Sequence, residues 1–321
     1  MDLLSAQVLQ GFGIVAKKIR KEKSSFVLTT ESGSLTVKKS LDSCAKVTFA
    51  HDIKEYLAAN GFINTDRFRT ALSGKPYVEY EGDIYVCTKA QALRETSFSD
   101  AKDVRRAVES IARMHRLSRG VVAAGKFRRE NVLAQLRKDV ADISGIKRKL
   151  GQSGSLSDFD VIFLKNYDFY IFQMRQTLAE LESTRFEAYI QESLRQPQVI
   201  HNRLKEETLL VEGDQLHIVN FGAAEIGYSM FDLVSVISRY IRENPRGSQL
   251  SVYELLEAYD SQSPLRIEDI RITRALLHFP FRFVKLLRAY YSKKRTWTPS
   301  AIFSKMQGII ADRDSYYSQL E

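Results

Sequence analysis

A chain of 321 residues, 44% hydrophobic and 27% charged, has room for one large domain or two unequal lobes and is not, as a whole, disordered, collagenous or coiled-coil. Its formal charge of +9, from 48 Lys and Arg against 39 Asp and Glu, is a small excess for this length and does not name a partner. The two cysteines, Cys44 and Cys87, lack metal-ligand spacing, which argues against a disulfide framework or a zinc site and for a reducing compartment.

The first ninety residues read as strand-rich with one helix. Short β-prone runs cover about Gly13 to Arg20, Phe26 to Thr30 and Leu35 to Lys38, with a turn at Glu31-Ser32-Gly33-Ser34. A helix is predicted from about Lys46 to Ala59, closing at Asn60-Gly61, where the chain can turn left-handed. Strands resume at Phe68 to Leu72 and Asp83 to Thr88. Beyond residue 100 the apolar period changes from two to about 3.6. Val104, Ala107, Val108, Ile111, Met114 and Leu117 share one helical face, started by Asp100 and stopped by Gly120. Residues 121–150 are basic and polar with scattered apolar positions, and a long helix follows at about Asp160 to Ser193. Leu209 to Val211 and Leu216 to Val219 flank a four-residue turn, a hairpin island among helices. Helices are then expected at 230–242, 250–259, 267–292 with a break at Pro280, and 299–319. The result is an α+β chain: a β-rich N-terminal lobe over residues 1–90 and a helical C-terminal lobe over 91–321. With no charged leader and no apolar run near ~18 residues, synthesis in the cytosol without membrane insertion is expected.

Particular segments add a resemblance. Val199-Ile200-His201-Asn202-Arg203-Leu204-Lys205-Glu206-Glu207-Thr208 resembles the catalytic loop of the aminoglycoside- and choline-kinase branch of the protein-kinase-like fold, whose pattern is His-Gly-Asp, four residues, then Asn. Ile218-Val219-Asn220-Phe221-Gly222 resembles the metal-binding segment that follows. Together with Ile111 to Gly120, Phe231-Asp232-Leu233, Leu276 to Phe283, Tyr290-Tyr291 and Trp297, the whole chain is most similar to the CotS-type spore-coat proteins of endospore-forming bacteria. The resemblance implies a two-lobed, aminoglycoside-phosphotransferase-like fold. It also implies manufacture in the mother-cell cytoplasm, deposition in the spore coat, and other coat proteins as partners.

Three positions depart from the kinase pattern. Phosphoryl transfer in this fold uses an acid to orient the attacking hydroxyl and oxygen ligands to hold Mg²⁺ on the phosphates. The base position is Arg203, a permanent cation. The asparagine position is Thr208, and the metal-binding aspartate is Asn220. Exchanging an anion for a cation about 4 Å from another charge changes their interaction by roughly twice ~4 kcal/mol at an effective dielectric of ~20. Arg203 is therefore expected either to contact an anion directly or, in the favoured reading, to pair with Glu206, Glu207 or Glu225. Lys38 matches the third-strand lysine that contacts phosphates in active relatives, with Lys39 as an alternative alignment and Asp52 or Glu55 as its helix partner. His201 and Asp232 are expected to hold the loop in shape.

The expectation drawn from these departures is a pseudokinase: no enzyme, no cofactor and no metal, with a structural or assembly role in the coat. One rival is a divergent ATP-dependent phosphotransferase acting on a small molecule or protein and recruiting Glu225 or Asp214; another is an anionic ligand held in the interlobe cleft by Arg203 and Lys38. The basic clusters Lys17 to Lys21, Lys147-Arg148-Lys149 and Lys293-Lys294-Arg295 are short and far apart, so they read as solvated surface and no nucleic-acid partner is expected.

Overall fold

The computed structural model describes residues 4–90, 93–122, 127–129, 131–193, 195–292 and 298–321. The Lys293-Lys294-Arg295 cluster, Trp297 and Gln91-Ala92 lie outside the described residues. Packing divides the chain into two compact units, the first comprising Met1–Ser97, Glu109–Arg128 and Gln196–Gly227 and the second Phe98–Val108, Arg129–Arg195 and Tyr228–Glu321.

The first unit begins with a short helix, α1 (Ala6–Gly11), whose Gln7 N–H is capped by Ser5 Oγ at 3.2 Å. Five antiparallel strands follow: β1 (Lys18–Glu22), β2 (Ser25–Thr30), β3 (Gly33–Ser40), β4 (Val78–Tyr80) and β5 (Asp83–Lys89), in the order β1-β2-β3-β5-β4. Every residue of the edge strand β1 is exposed, and four of the five are charged. In the centre of the sheet Val37 faces Cys87 and Lys38 faces Val86. Successive side chains alternate between faces, so the two pairs look in opposite directions. Val37 and Cys87 pack with Val8, Phe12 and Leu28. Val86 packs with Val47 of the helix α2 (Cys44–Ala59) on the other face. The period-two pattern thus delivers Lys38 to the α2 side. Ser43 starts α2, and Asn60 with left-handed Gly61 (φ 88°) ends it, as expected.

Two predicted strands differ. The strand expected from Gly13 starts only at Lys18, because Gly13 turns the chain (φ 61°) as it leaves α1. Phe68 to Leu72 makes one bridge, Phe68 to Thr88; its later amides serve a turn and α1 (Ala71 N–H to Lys75 O, Leu72 N–H to Gly11 O, both 2.8 Å), and β4 takes its place beside β5. The unit also holds β6 (Arg94–Glu95), β7 (Gln198–Ile200), β8 (Leu209–Glu212), β9 (Gln215–Ile218) and β10 (Glu225–Gly227). The hairpin β8–β9 is therefore no isolated island: β6 joins it as a third strand, while β10 pairs with β7 and closes the segment between them into a loop.

The remaining elements are helical, giving the expected α+β class. Asp100 Oδ1 caps α3 (Ala101–Leu117), accepting from the N–H groups of Lys102 (2.8 Å) and Asp103 (3.3 Å). The basic stretch after residue 121 contains an unforeseen helix, α4 (Val132–Leu150), whose Leu133, Leu136 and Ile143 form a narrow apolar stripe among charges. The predicted long helix is two, α5 (Asp158–Ser183) and α6 (Phe186–Ser193), separated where Arg185 takes φ 52°. Then come α7 (Met230–Glu243), α8 (Val252–Asp260), α9 (Ile267–His278) and α10 (Phe281–Tyr291), the last two divided at Pro280, and finally α11 (Pro299–Ala311) and α12 (Arg313–Ser318). Inside the second unit Tyr189 and Tyr228 both donate to Asp269 Oδ1 at 2.7 Å, which satisfies a buried carboxylate at the start of α9.

Candidate functional site

The loop between β7 and β8 is held from inside. His201 is fully buried; its Nδ1 accepts the Arg203 N–H at 3.4 Å, its Nε2 lies 3.0 Å from Val219 O, and its ring meets Phe221 edge-on at 4.9 Å. One imidazole thereby ties the loop to the Asn220-Phe221-Gly222 segment. Thr208, also fully buried, accepts from the Lys205 N–H at 2.9 Å and lies 2.8 Å from Arg203 O and 3.0 Å from Lys205 O. A hydroxyl has one proton and two lone pairs; here the proton and one lone pair serve the loop backbone. Arg203 itself is exposed, and its side chain makes no hydrogen bond or ion pair among the described residues. The expected salt bridge does not form: Glu207 pairs with Lys205 at 2.5 Å, and that hydrogen bond first, with Arg203 a weaker contributor, holds its carboxyl below the usual range.

Lys38 is half-buried and likewise makes no ion pair among the described residues. Of the two acids proposed as its partner, Glu55 pairs with Arg67 and Asp52 is exposed. The α2 residue beside Lys38 is another cation, Lys54. Its side chain is wholly buried, its Nζ 2.8 Å from Asp66 Oδ1, 2.7 Å from Asp66 O and 3.6 Å from the centre of the Phe68 ring. Burial is the main force lowering its pKa, Asp66 opposes that, and nearby Lys38 adds to it. The same Asp66 oxygen accepts the Asn220 N–H at 3.1 Å. Asn220 adopts φ 65°, a left-handed conformation that asparagine tolerates. A chain of contacts thus runs from Lys54 through Asp66 to Asn220, with Lys38 near enough to act on the Lys54 charge. Sequence reasoning missed Lys54 and Asp66, although a signal existed: Lys54 sits on the helix face defined by Val47, Ala50 and Leu57, where a lysine requires a buried partner.

A third carboxylate group stands close by. The β7–β10 register sets Glu225 opposite Ile200, at the foot of the loop, and Asn202 Nδ2 donates to Glu225 Oε2 at 2.9 Å. Lys46 lies among Glu225, Asp42 and two aromatic rings, with Phe127 at 4.2 Å, and donates to Ala224 O at 2.5 Å. Desolvation lowers its pKa; Glu225 and Asp42 act against it. Asp42 approaches so near Gly222 that a Cβ there would meet Asp42 Oδ2, and the Asn220 carboxamide oxygen lies on the same side. A larger residue there would displace the Asp42 carboxylate from this position. Asp214 lies in the β8–β9 turn. Asp232 is buried in the first turn of α7, its N–H donating to Ser229 O at 3.1 Å; the cap position is Ser229.

The donor set does not suit the hard divalent ion that kinases use. Mg²⁺ favours carboxylate oxygens and dehydrates reluctantly. Here its main position offers the neutral amide of Asn220, the Thr208 hydroxyl is bonded to the loop backbone, Asp66 is matched by Lys54, and the nearby Asp42 and Glu225 share Lys46. Among the described residues no three His, Cys, Asp or Glu side chains converge as a metal site.

Residues 6–321 match the family model described as "Spore coat putative kinase YutH". The chain belongs to this spore-coat kinase family. No curated protein matches it significantly. Among solved structures, an aminoglycoside phosphotransferase from Alicyclobacillus acidocaldarius is similar at TM-score 0.86 and 17% identity, over 100% of this chain and 95% of that one. Spectinomycin phosphotransferase with bound AMP follows at 0.67 and 13%, covering 98% and 97%. A choline/ethanolamine kinase family protein from Mesorhizobium loti gives 0.53 and 14%, covering 97% and 94%. The kinase-like, aminoglycoside-phosphotransferase-like fold expected from the motifs is therefore present, as is the CotS-like spore-coat kinship. No helix among the described residues is long and apolar enough to cross a membrane.

The expectation that the chain is not an enzyme is corrected. The family model that matches residues 6–321 is described as a "putative kinase", which points toward an enzyme; the phosphotransferase and kinase neighbours, at 13–17% identity, share the fold. The expectation of inactivity rested on Arg203, Thr208 and Asn220 and set Glu225 and Asp214 in the rival reading. Carboxylates from outside the motif, Glu225 and Asp66, are hydrogen-bonded onto both altered segments.

Proposed function

We propose that this member of the spore-coat kinase family is a divergent ATP-dependent phosphotransferase acting on a small molecule or a protein of the coat. The observation that carries the reading is the 2.9 Å hydrogen bond between Glu225 Oε2 and Asn202, the residue next to the altered base position. An acid expected at 203 is replaced by one delivered from β10. In this reading Glu225 accepts the proton of the attacking hydroxyl while that oxygen bonds to the γ-phosphorus; the bond from γ-phosphorus to the bridging oxygen breaks and ADP leaves with the electron pair. Arg203 and Lys38 hold phosphate oxygens. Synthesis in the mother-cell cytoplasm, followed by contact with other coat proteins, belongs to the same proposal.

General-base contributions are typically ~10²–10⁴-fold. Turnover of ATP in the presence of spore-coat extract is expected to fall by at least ~100-fold in Glu225→Gln with an unchanged melting temperature. Undiminished turnover in the variant, or none in the parent protein, defeats the proposal.

A further inference from the structure

The charge pattern of the first unit says how a nucleotide would be held there. In kinases the third-strand lysine pairs with a helix glutamate, the catalytic loop supplies an aspartate, and another aspartate binds metal; two Mg²⁺ ions then neutralise the phosphates. Those protein groups carry one positive and three negative charges, and the two ions bring the site to plus two. The site in this chain is net positive without any ion. Lys38, Lys54, Arg203 and Lys46 are cationic, Asp66, Asp42 and Glu225 are anionic and Asn220 is neutral.

These cations differ in availability. Lys54 is buried and locked to Asp66. Lys38 and Arg203 carry no ion pair among the described residues, and neither is sealed from solvent. Their positions are fixed by neighbours that are buried: Lys38 by its pairing with Val86 in β3–β5, and Arg203 by its N–H to His201 and its carbonyl to Thr208. The adjoining Asp42 and Glu225 charges have Lys46 between them.

Resting on the phosphotransferase reading above, we infer that the site binds the phosphates of its nucleotide without a divalent metal ion, Arg203 supplying beside Lys38 the positive charge that metal ions bring in other kinases. An ammonium and a guanidinium both bind phosphate oxygens directly, the latter through its planar fork. A metal ion entering the same place would instead meet the Arg203 cation.

The test is titration of the full chain with ATP by calorimetry, once in excess EDTA and once in Mg²⁺. The expected result is an affinity that agrees within about threefold between the two, far from the loss that removal of an obligatory ion causes. Arg203→Ala and Lys38→Met should each weaken binding in EDTA by about tenfold, as loss of a charge-assisted contact predicts, with melting temperatures of the free protein unchanged. The double variant Arg203→Asp/Asn220→Asp should make ATP binding depend on Mg²⁺. Binding confined to Mg²⁺ in the parent protein overturns this inference and leaves the phosphotransferase reading standing. Absence of ATP binding in either buffer overturns both.

Discussion

Lys54 and Arg203 both put a cation where a kinase carries an acid, and the protein treats them in opposite ways. At the α2 end of the site Lys54 is completely buried and held by Asp66, which also accepts the Asn220 N–H. In the loop Arg203 is exposed and its guanidinium is uncommitted among the described residues. The same change of sign is structural in one place and, in the function proposed above, chemical in the other. Burial decides which, because a charge removed from water must be paired, whereas one left in water is free to meet a ligand.

The contrast breaks most sharply at Asp66. Asp66→Asn leaves a buried ammonium without its counter-charge, and removing one partner of such a pair costs about 3–5 kcal/mol. Urea denaturation should show that loss, and a variant as stable as the parent would mean Lys54 is not charged in the fold. Thr208→Val comes next. It strands the Lys205 N–H and leaves two carbonyls one contact short, at about 2–3 kcal/mol for buried groups left unsatisfied. Arg203→Ala should shift stability by no more than about 0.5 kcal/mol, as for surface substitutions, while ATP affinity falls. A large stability loss there would place Arg203 with Lys54 instead. The mildest check concerns the sheet beneath Lys38. Burial pushes the Cys87 thiol up to about 11 from an ordinary 9.0, so in the fold its thiolate appears only as pH rises toward that value. Alkylation at pH 8 should then reach half-buried Cys44 and leave Cys87 intact until denaturant is added.

Much of this was legible in the residues. Hydrophobic period marked α2, α3 and the late helices, and the loop and Phe-Gly motifs located His201, Arg203, Thr208 and Asn220. The helix α4 was hidden because its apolar stripe is narrow and its other faces are charged. The expectation of inactivity weighed Glu225 as a rival's acid but had no means of placing it at the loop, and it did not name Asp66. Glu225 reaches the loop through strand pairing with Ile200, and Asp66 reaches Asn220 from a loop more than 150 residues earlier. Long-range pairing of this kind leaves no trace in local spacing. Nor did any motif predict that the partner of Lys38 would be absent; that follows from Glu55 turning to Arg67 and Lys54 taking the inward face.

The edge strand β1 has a consequence for life at high protein density. An open edge offers unpaired amides and carbonyls to any passing strand, and natural proteins guard it with charge, above all lysine. Lys18, Arg20 and Lys21 lie along β1, exposed over its whole length. Even with Glu22 counted, β1 is net positive, so two copies meeting edge to edge repel and continuous sheets between molecules are disfavoured. In a packed shell of protein, that guard favours contacts through side-chain surfaces over copy-to-copy polymerisation of the backbone.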